Sequence, residues 1–147
     1  MKILILNGPN LNMLGKREVG FYGSETFDSI FDQLQSQFPD LQLTCYQSNH
    51  EGELIDKIHQ YADFDGIVIN GGAYSHYSYA IMDALALANI PKVEVHFSNI
   101  HSRESFRAVS VLSKVCDGVI CGFGKESYRL ALEWFRQKNA GIGLFRK

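Results

Sequence analysis

Short runs of apolar, mostly β-branched residues recur along this 147-residue chain, and they constrain its fold more than any other feature. Four of these runs lack a clean polar face, which is typical of strands buried on both sides of a parallel sheet. A fifth run, residues 41–45, alternates between apolar and polar side chains, which favours a place nearer a sheet edge. The four apolar runs are residues 3–6, 66–69, 93–97 and 118–121.

Apolar residues at helical spacing separate most of these runs. They recur at i, i+3, i+4 and i+7, which predicts amphipathic helices between the strands. Residues 48–51 form a Ser-x-x-Glu pattern, which predicts a capping box at the start of the second helix. Residues 103–114 are less regular, and we predict a short helix only at their start. The four stripes are Phe27, Ile30, Phe31, Leu34 and Phe38; Leu54, Ile55, Ile58 and Ala62; Ala80, Ile81, Ala84, Leu85 and Ala88; and Tyr128, Ala131, Leu132 and Phe135.

The alternation of strands and helices predicts an α/β fold with a flavodoxin-like, doubly wound, five-stranded parallel sheet in three layers. A chain of this length hides roughly 70% of the surface that it would expose when unfolded, which is enough for one core. We therefore expect residues 1–147 to form a single catalytic domain. In such a fold, ligands bind beyond the carboxyl ends of the strands.

Charge and composition exclude several classes of protein. The net charge is −2 and there is no run of Lys or Arg, which argues against a nucleic-acid partner. No apolar stretch approaches the roughly 20 residues of a membrane helix, and a strand that begins at Lys2 leaves no room for a signal peptide. Cys45, Cys116 and Cys121 are isolated in apolar runs, which indicates buried, reduced thiols. We expect a cytoplasmic enzyme without a membrane partner.

The segments that follow the strands carry the polar residues. Residues 7–23 form a long, glycine-rich loop, the composition expected of a lid. Residues 70–76 and 94–99 follow two further strands, and the three segments would meet in one cleft. Together they supply an Arg, a Tyr, two His and several amides, a set that suits acid–base chemistry on a polar, anionic small molecule.

Other chemistries fit the sequence less well. The first loop lacks the Gly-Lys-Ser/Thr ending of a Walker loop, and no G-x-G-x-x-G pattern follows the first strand. Asn70 stands where a phospho-receiver domain needs a carboxylate. His76, His96, His101 and Glu94 offer metal-ligand types, but no two share ligand spacing on one helix, so we expect no metal.

Read together, the loops closely resemble the signature of type II 3-dehydroquinate dehydratases. The resemblance covers nearly the whole chain, with its motifs in order and at the family's spacing. It implies dehydration of 3-dehydroquinate to 3-dehydroshikimate without metal or other cofactor, and a homododecamer built as a tetramer of trimers. The matching segments are residues 7–12, 15–18, 22–23, 48–52, 70–76, 94–99, 103–107 and 122–124.

The resemblance implies a role for each catalytic residue. Tyr22 is the base that takes the proton next to the ketone, and Arg17 on the same loop favours its phenolate. His96 is the acid that protonates the departing hydroxyl. Glu94 lies two residues before His96 on a strand, so both side chains share a face and the carboxylate can orient the imidazole.

The remaining assignments concern binding. Asn10 and Asn70 are expected to donate hydrogen bonds to the enolate, directly or through a water. Asp83 lies two helical turns after His76, about 10 Å away, so it is not expected to share that cleft. In the family, this position reaches a neighbouring subunit's site. The other substrate-binding residues are His76, Phe97, Ser98 and Arg107, with Gly72 and Ala73 in supporting positions.

Two positions depart from the family. Gly71 stands where the family usually has Pro, and Val19 where it often has Pro; both changes loosen backbone near the cleft.

Two rival functions stay open. One rival is a flavodoxin-like module that binds FMN or a nucleotide, which predicts a phosphate-binding first loop. The other is a catalytically silent homologue, which is expected to lack Tyr22, Arg17 or His96. The sequence fits either aromatic biosynthesis or quinate breakdown.

Overall fold

The computed structural model describes residues 1–16, 20 and 24–141. Across these ranges five strands form one parallel sheet in the order β2-β1-β3-β4-β5. This is the predicted flavodoxin-like arrangement, and β2 lies at an edge as its alternating pattern indicates. The strands are β1 (Lys2–Asn7), β2 (Gln42–Gln47), β3 (Gly66–Asn70), β4 (Lys92–His96) and β5 (Gly118–Cys121).

Helices cover both faces of the sheet and give it three layers. The helices are α1 (Phe27–Gln37), α2 (Glu51–Ile58), α3 (Tyr79–Leu87) and α4 (Glu126–Asn139). Successive side chains of a strand point to opposite faces, so Ile3 and Ile5 of β1 pack in one apolar cluster with α1 and α4. Leu4 and Leu6 pack in the other cluster, with α2 and α3.

Two local predictions were wrong in detail. Helix α2 begins at Glu51. The hydroxyl of Ser48 accepts a hydrogen bond from the N–H of His50 and donates one to the carboxylate of Glu53. Ser48 therefore pairs with Glu53, and not with Glu51 as the predicted capping box requires. The short helix predicted at the start of residues 103–114 is a single 3-10 turn, Ser105–Arg107. A second turn, Leu112–Val115, follows before β5, so the β4–β5 crossover contains no α-helix.

The first and third strands bring their loops into direct contact. Asn7 and Asn70 are partners at the ends of β1 and β3. The backbone N–H of Gly8 donates to the carbonyl of Asn70 at 2.7 Å. A Cβ atom on Gly8 would lie 2.3 Å from the carbonyl oxygen of Gly71, closer than any side chain tolerates. This approach holds the two loops side by side, so that Pro9 and Gly72, the residues that follow, line the same cleft.

The cysteines are free, but only Cys116 is fully buried. Cys45 and Cys121 are partly exposed, so the prediction of three buried thiols was wrong for two of them. Burial, together with the nearby Asp28 charge, raises the pKa of the Cys45 thiol to about 12, which keeps it protonated and unreactive. Within residues 1–16, 20 and 24–141, no helix is long and apolar enough to cross a membrane.

Replacing Gly8 with Ala tests the contact between the loops. We expect Gly8→Ala to destabilise the fold by about 3 kcal/mol, because the new methyl group meets backbone that has no room to move. Chemical denaturation measures the change. Gly52→Ala is the matched control, since nothing lies within 4 Å of a Cβ there. Because Gly52 lies in a helix, this change should raise the free energy of unfolding by up to about 1 kcal/mol. Equal stabilities for the two variants would contradict the contact.

Candidate active site

A cleft opens at the carboxyl ends of β1, β3 and β4. It brings together nine of the residues singled out from the sequence, contributed by three different segments of the chain. Pro9, Leu11, Met13, Leu14 and Ile100 supply apolar walls, and Arg103 adds a second guanidinium group to that of Arg107. The nine predicted residues are Asn10, Asn70, Gly72, Ala73, His76, His96, Phe97, Ser98 and Arg107.

His96 lines this cleft and is paired with the buried carboxylate of Glu94 behind it. Nε2 of His96 is 2.7 Å from Oε1 of Glu94, and the two residues are 5% and 0% exposed. Burial alone would raise the pKa of the Glu94 carboxyl, but hydrogen bonds from His96, Ser110 and Ser113 outweigh it and hold that pKa low. A carboxylate only accepts, so Nε2 of His96 carries the hydrogen. The cleft is left with Nδ1 of His96.

The second histidine of the cleft is held differently. Nδ1 of His76 is 2.9 Å from the carbonyl oxygen of Val109, which can only accept, so Nδ1 carries the hydrogen and Nε2 keeps a lone pair. Burial lowers the pKa of His76, with help from the nearby His96 and Arg107, despite the Val109 hydrogen bond. The rings of His76 and His96 stack with their centroids 6.1 Å apart. A neutral His76 can therefore accept a hydrogen bond from a ligand hydroxyl.

A buried polar bridge fixes the amide of Asn70. Nδ2 of Asn70 donates to the hydroxyl of Tyr128 at 2.9 Å, and that hydroxyl donates to Oδ1 of Asn7 at 2.8 Å. The backbone of Gly72 donates to Oδ1 of Asn70. Tyr128 is fully buried and its pKa is raised by that burial, so it remains a phenol. The second hydrogen of the Asn70 amide is left for the cleft.

The sequence did not single out Tyr128 as a functional residue, because it lies within the apolar stripe of α4. Its ring packs against Phe27 and Phe97 at centroid distances of 5.2 and 5.3 Å. The only signal in the sequence is a hydroxyl among side chains that are otherwise apolar. A buried hydroxyl needs a partner, and here the partners come from β1 and β3.

Two arginines line the mouth of the cleft. The side chains of Arg103 and Arg107 are 17% and 22% exposed, and both lie near the carboxylate of Glu104. Nε of Arg107 donates to Glu104 at 2.9 Å. Nη1 of Arg103 is 3.5 Å from the hydroxyl of Ser98. Two guanidinium groups favour a ligand that carries a carboxylate.

The other predicted residues are placed as follows. Asn10 adopts a left-handed backbone conformation (φ 69°), and its N–H donates to the side chain of Asn49 at 2.9 Å. The carbonyl of Phe97 accepts from Gly124 at 3.0 Å. Asp83 is exposed on α3 and does not line the cleft, as its spacing from His76 indicates. Arg17, Val19 and Tyr22 lie outside the described residues.

Metal-ligand residue types do not cluster in the described ranges. No three His, Cys, Asp or Glu side chains there are arranged to hold an ion. Glu94, the carboxylate nearest to the histidines, already accepts hydrogen bonds on both of its oxygens.

The fold and the cleft together define a flavodoxin-like α/β protein with two histidines and two arginines in a cleft at the carboxyl ends of its strands. The chain belongs to the class II dehydroquinase family, whose model matches residues 1–136.

Individual relatives match the chain almost from end to end. The 3-dehydroquinate dehydratase of Thermotoga neapolitana is 54% identical over 139 residues, which cover 93% of this chain and 95% of that protein. The crystal structure of type II dehydroquinase from Butyrivibrio crossotus superposes with a TM-score of 0.90 at 50% identity, covering 92% and 97% of the two chains. A 3-dehydroquinate dehydratase-like protein from Bifidobacterium longum is more distant, with a TM-score of 0.66 at 32% identity over 91% and 94%.

Removal of the Tyr128 hydroxyl tests the buried bridge. We expect Tyr128→Phe to lower the free energy of unfolding by about 2 kcal/mol, because buried amide groups of Asn7 and Asn70 lose their partner. Tyr74→Phe is the matched control: its hydroxyl donates to the carbonyl of Asn49 near the surface, where water can replace it, so the cost should stay below about 1 kcal/mol. Denaturant titrations that give equal losses would contradict the bridge.

Proposed function

We propose that this protein is a type II 3-dehydroquinate dehydratase, which eliminates water from 3-dehydroquinate to give 3-dehydroshikimate through an enolate. The observation that carries the proposal is His96, held by the buried Glu94 carboxylate at 2.7 Å, in the wall of a cleft with a neutral His76 and two arginines. Dehydration of a hydroxy-ketone acid needs an acid for the leaving hydroxyl, hydrogen-bond partners for the other hydroxyls and a cation for the carboxylate. The family membership supports the same reaction.

The first half of the reaction removes a proton from the carbon next to the ketone. In the proposed mechanism Tyr22, as phenolate, takes this proton, and the adjacent Arg17 cation favours that phenolate. The electron pair of the broken C–H bond moves to the ketone oxygen and forms an enolate. The amides of Asn10 and Asn70 donate to that oxygen, directly or through a water. Asn70 suits the task because Tyr128 and Gly72 fix its orientation.

The second half expels the hydroxyl group. The enolate re-forms the ketone while the C–O bond breaks, and the proton on Nδ1 of His96 joins the leaving oxygen to make water. Nδ1 is the nitrogen for this step because Nε2 is held by Glu94. The carboxylate stabilises the imidazolium before the transfer and keeps the ring aimed. Proton exchange with solvent then returns Tyr22 and His96 to their starting states.

The remaining residues bind the substrate. Nε2 of His76 accepts from a substrate hydroxyl, and Ser98 and the backbone of Phe97 lie on the same wall. Arg107 holds the carboxylate, with Arg103 beside it at the mouth. No metal and no organic cofactor enters the proposed reaction. We further propose that residues 1–147 act as one catalytic domain in the cytoplasm, in the shikimate route to aromatic amino acids or in quinate breakdown.

Self-association into a homododecamer, a tetramer of trimers, is also proposed. Tyr79, Asp83 and Leu87 are spaced four residues apart and lie along one face of α3. The two apolar members of this face are 65% and 68% exposed, which is costly for an isolated chain. In the proposed assembly, that face is buried against another subunit and Asp83 lies near the cleft of that subunit. This would explain how Asp83 can take part in substrate binding although it lies outside the cleft of its own chain.

The enzymatic assay is direct. Incubation with 3-dehydroquinate should produce the ultraviolet absorbance of the conjugated enone, at the same rate with and without EDTA. Tyr22→Phe should abolish nearly all turnover, because no base remains, and His96→Asn should reduce kcat by about 100-fold or more. His59→Gln, an exposed change at the C-terminal end of α2 and outside the cleft lining, is the control and should retain full activity. Inhibition by the chelator, or normal turnover by Tyr22→Phe, would overturn the mechanism.

The assembly has its own test. Sedimentation should show a species of about twelve 16.6 kDa chains, and Leu87→Glu should break it down because a charge would enter the buried face. Gln35→Glu, an exposed change on α1, should leave the assembly intact. Asp83→Ala should keep the size but reduce kcat/KM. A fully active monomer, or Asp83→Ala with wild-type kinetics, would contradict the proposed role of this face.

A further inference from the structure

The buried carboxylate of Glu94 accepts hydrogen bonds from two serines of the β4–β5 crossover, which lie outside the proposed catalytic and substrate-binding residues. Resting on the proposed dehydratase function, we propose that Ser110 and Ser113 are positioning residues for His96. Their hydroxyl groups keep the Glu94 carboxylate ionised and aimed at the imidazole. Neither serine lines the cleft, so both act through Glu94 and not through the substrate.

The hydrogen bonds account for both oxygens of the carboxylate. Oε1 of Glu94 accepts from Nε2 of His96 and from the hydroxyl of Ser110, and Oε2 accepts from the hydroxyl of Ser113. The Ser110 oxygen also lies 3.1 Å from the carbonyl of Ser75. Its single hydrogen goes to the carboxylate, because a charged acceptor makes the stronger bond. Glu94 is 0% exposed, so these protein donors replace water entirely.

Residues 109–113 hold both histidines at once. The carbonyl of Val109 fixes His76 at 2.9 Å, and the N–H of Val111 donates to the carbonyl of Ser75 at 2.8 Å. The 3-10 turn Leu112–Val115 follows directly and brings Ser113 to the second carboxylate oxygen. The irregular backbone of the β4–β5 crossover thus leaves polar groups available to orient the stacked imidazoles. In an α-helix the backbone groups would bond to one another instead.

A carboxyl group in an apolar interior tends to take up a proton and become neutral. A neutral Glu94 would no longer stabilise the imidazolium of His96 and would leave its tautomer unspecified. Hydrogen bonds to the ionised form oppose that protonation. The charged or titratable groups that face this pair are His76 and, beside it, Arg107; Arg17 and Tyr22 lie outside the described residues. The two hydroxyls are neutral donors that add to the His96 hydrogen bond in favouring the ionised carboxylate of Glu94.

Kinetics separate a positioning role from a merely structural one. Ser110→Ala and Ser113→Ala should each lower kcat about tenfold, while KM for 3-dehydroquinate stays within about twofold. Ser113→Thr keeps the hydroxyl and should restore most of the rate. Ser36→Ala, an exposed change on α1, is the control. A raised KM with unchanged kcat, or no rescue by Thr, would overturn the proposal.

A double-mutant comparison shows whether the serines act through Glu94. In a Glu94→Gln background, Ser113→Ala should change kcat by less than about twofold, since the group it orients is already gone. A second tenfold loss in that background would contradict the proposal. Ser113 is only partly buried and its Ala variant should fold, so it carries the test if Ser110→Ala does not.

A titration that needs no activity completes the experiment. Carboxyl ¹³C NMR, assigned by the signal lost in Glu94→Gln, should show Glu94 titrating below the ordinary range for Glu. In Ser110→Ala/Ser113→Ala the midpoint should move to higher pH, and an unmoved midpoint would refute the role of the hydroxyls. A wild-type protein that does not turn over 3-dehydroquinate would refute the proposed function instead, and the titration would still decide the role of the serines.

Discussion

The pairing of β1 with β3 is the contact on which the cleft depends. It sets Asn7 beside Asn70 and allows the Gly8 backbone to lie directly on Gly71. These are the strands at which the sheet order reverses direction, the place where doubly wound folds open a crevice. Tyr128 seals the junction from the helical layer, so the amide presented to a ligand is anchored in the core.

On the other side of the cleft, the same sheet holds a charge in its interior. Glu94 sits opposite Ile69 of β3 and Val119 of β5, an apolar setting in which an unpaired carboxylate is expensive. The chain offsets this cost with donors from β4 itself and from the following crossover. The Glu94–His96 pair is thus held by its own strand and by the following crossover, whereas the proposed base, Tyr22, belongs to the sequence segment 7–23. In the proposed reaction, the sheet supplies the acid and that segment supplies the base.

Sequence reasoning predicted what depends on local pattern. The alternation of apolar runs with helical stripes predicts the parallel sheet and its flavodoxin-like order. The two-residue period of a strand predicts that Glu94 and His96 share a face. Sequence reasoning missed what depends on distant partners: Tyr128 meets Asn7 across 121 residues, and Ser110 and Ser113 meet Glu94 across 16 and 19. Serine hydroxyls in an irregular segment are typical of a solvent-exposed loop, and the neighbouring residues in the sequence give no sign that these serines are buried or partly buried. Arg17 and Tyr22, from the family resemblance alone, stay predictions.

The two stacked histidines of the cleft are held by different hydrogen-bond acceptors. The two rings lie with their centroids 6.1 Å apart. A backbone carbonyl holds Nδ1 of His76, and a carboxylate holds Nε2 of His96. In the proposed reaction, a ligand presents a hydroxyl hydrogen to His76 and an oxygen lone pair to His96. An ether at the first position would leave Nε2 of His76 without a hydrogen to accept, so this ring selects a free hydroxyl over its ether.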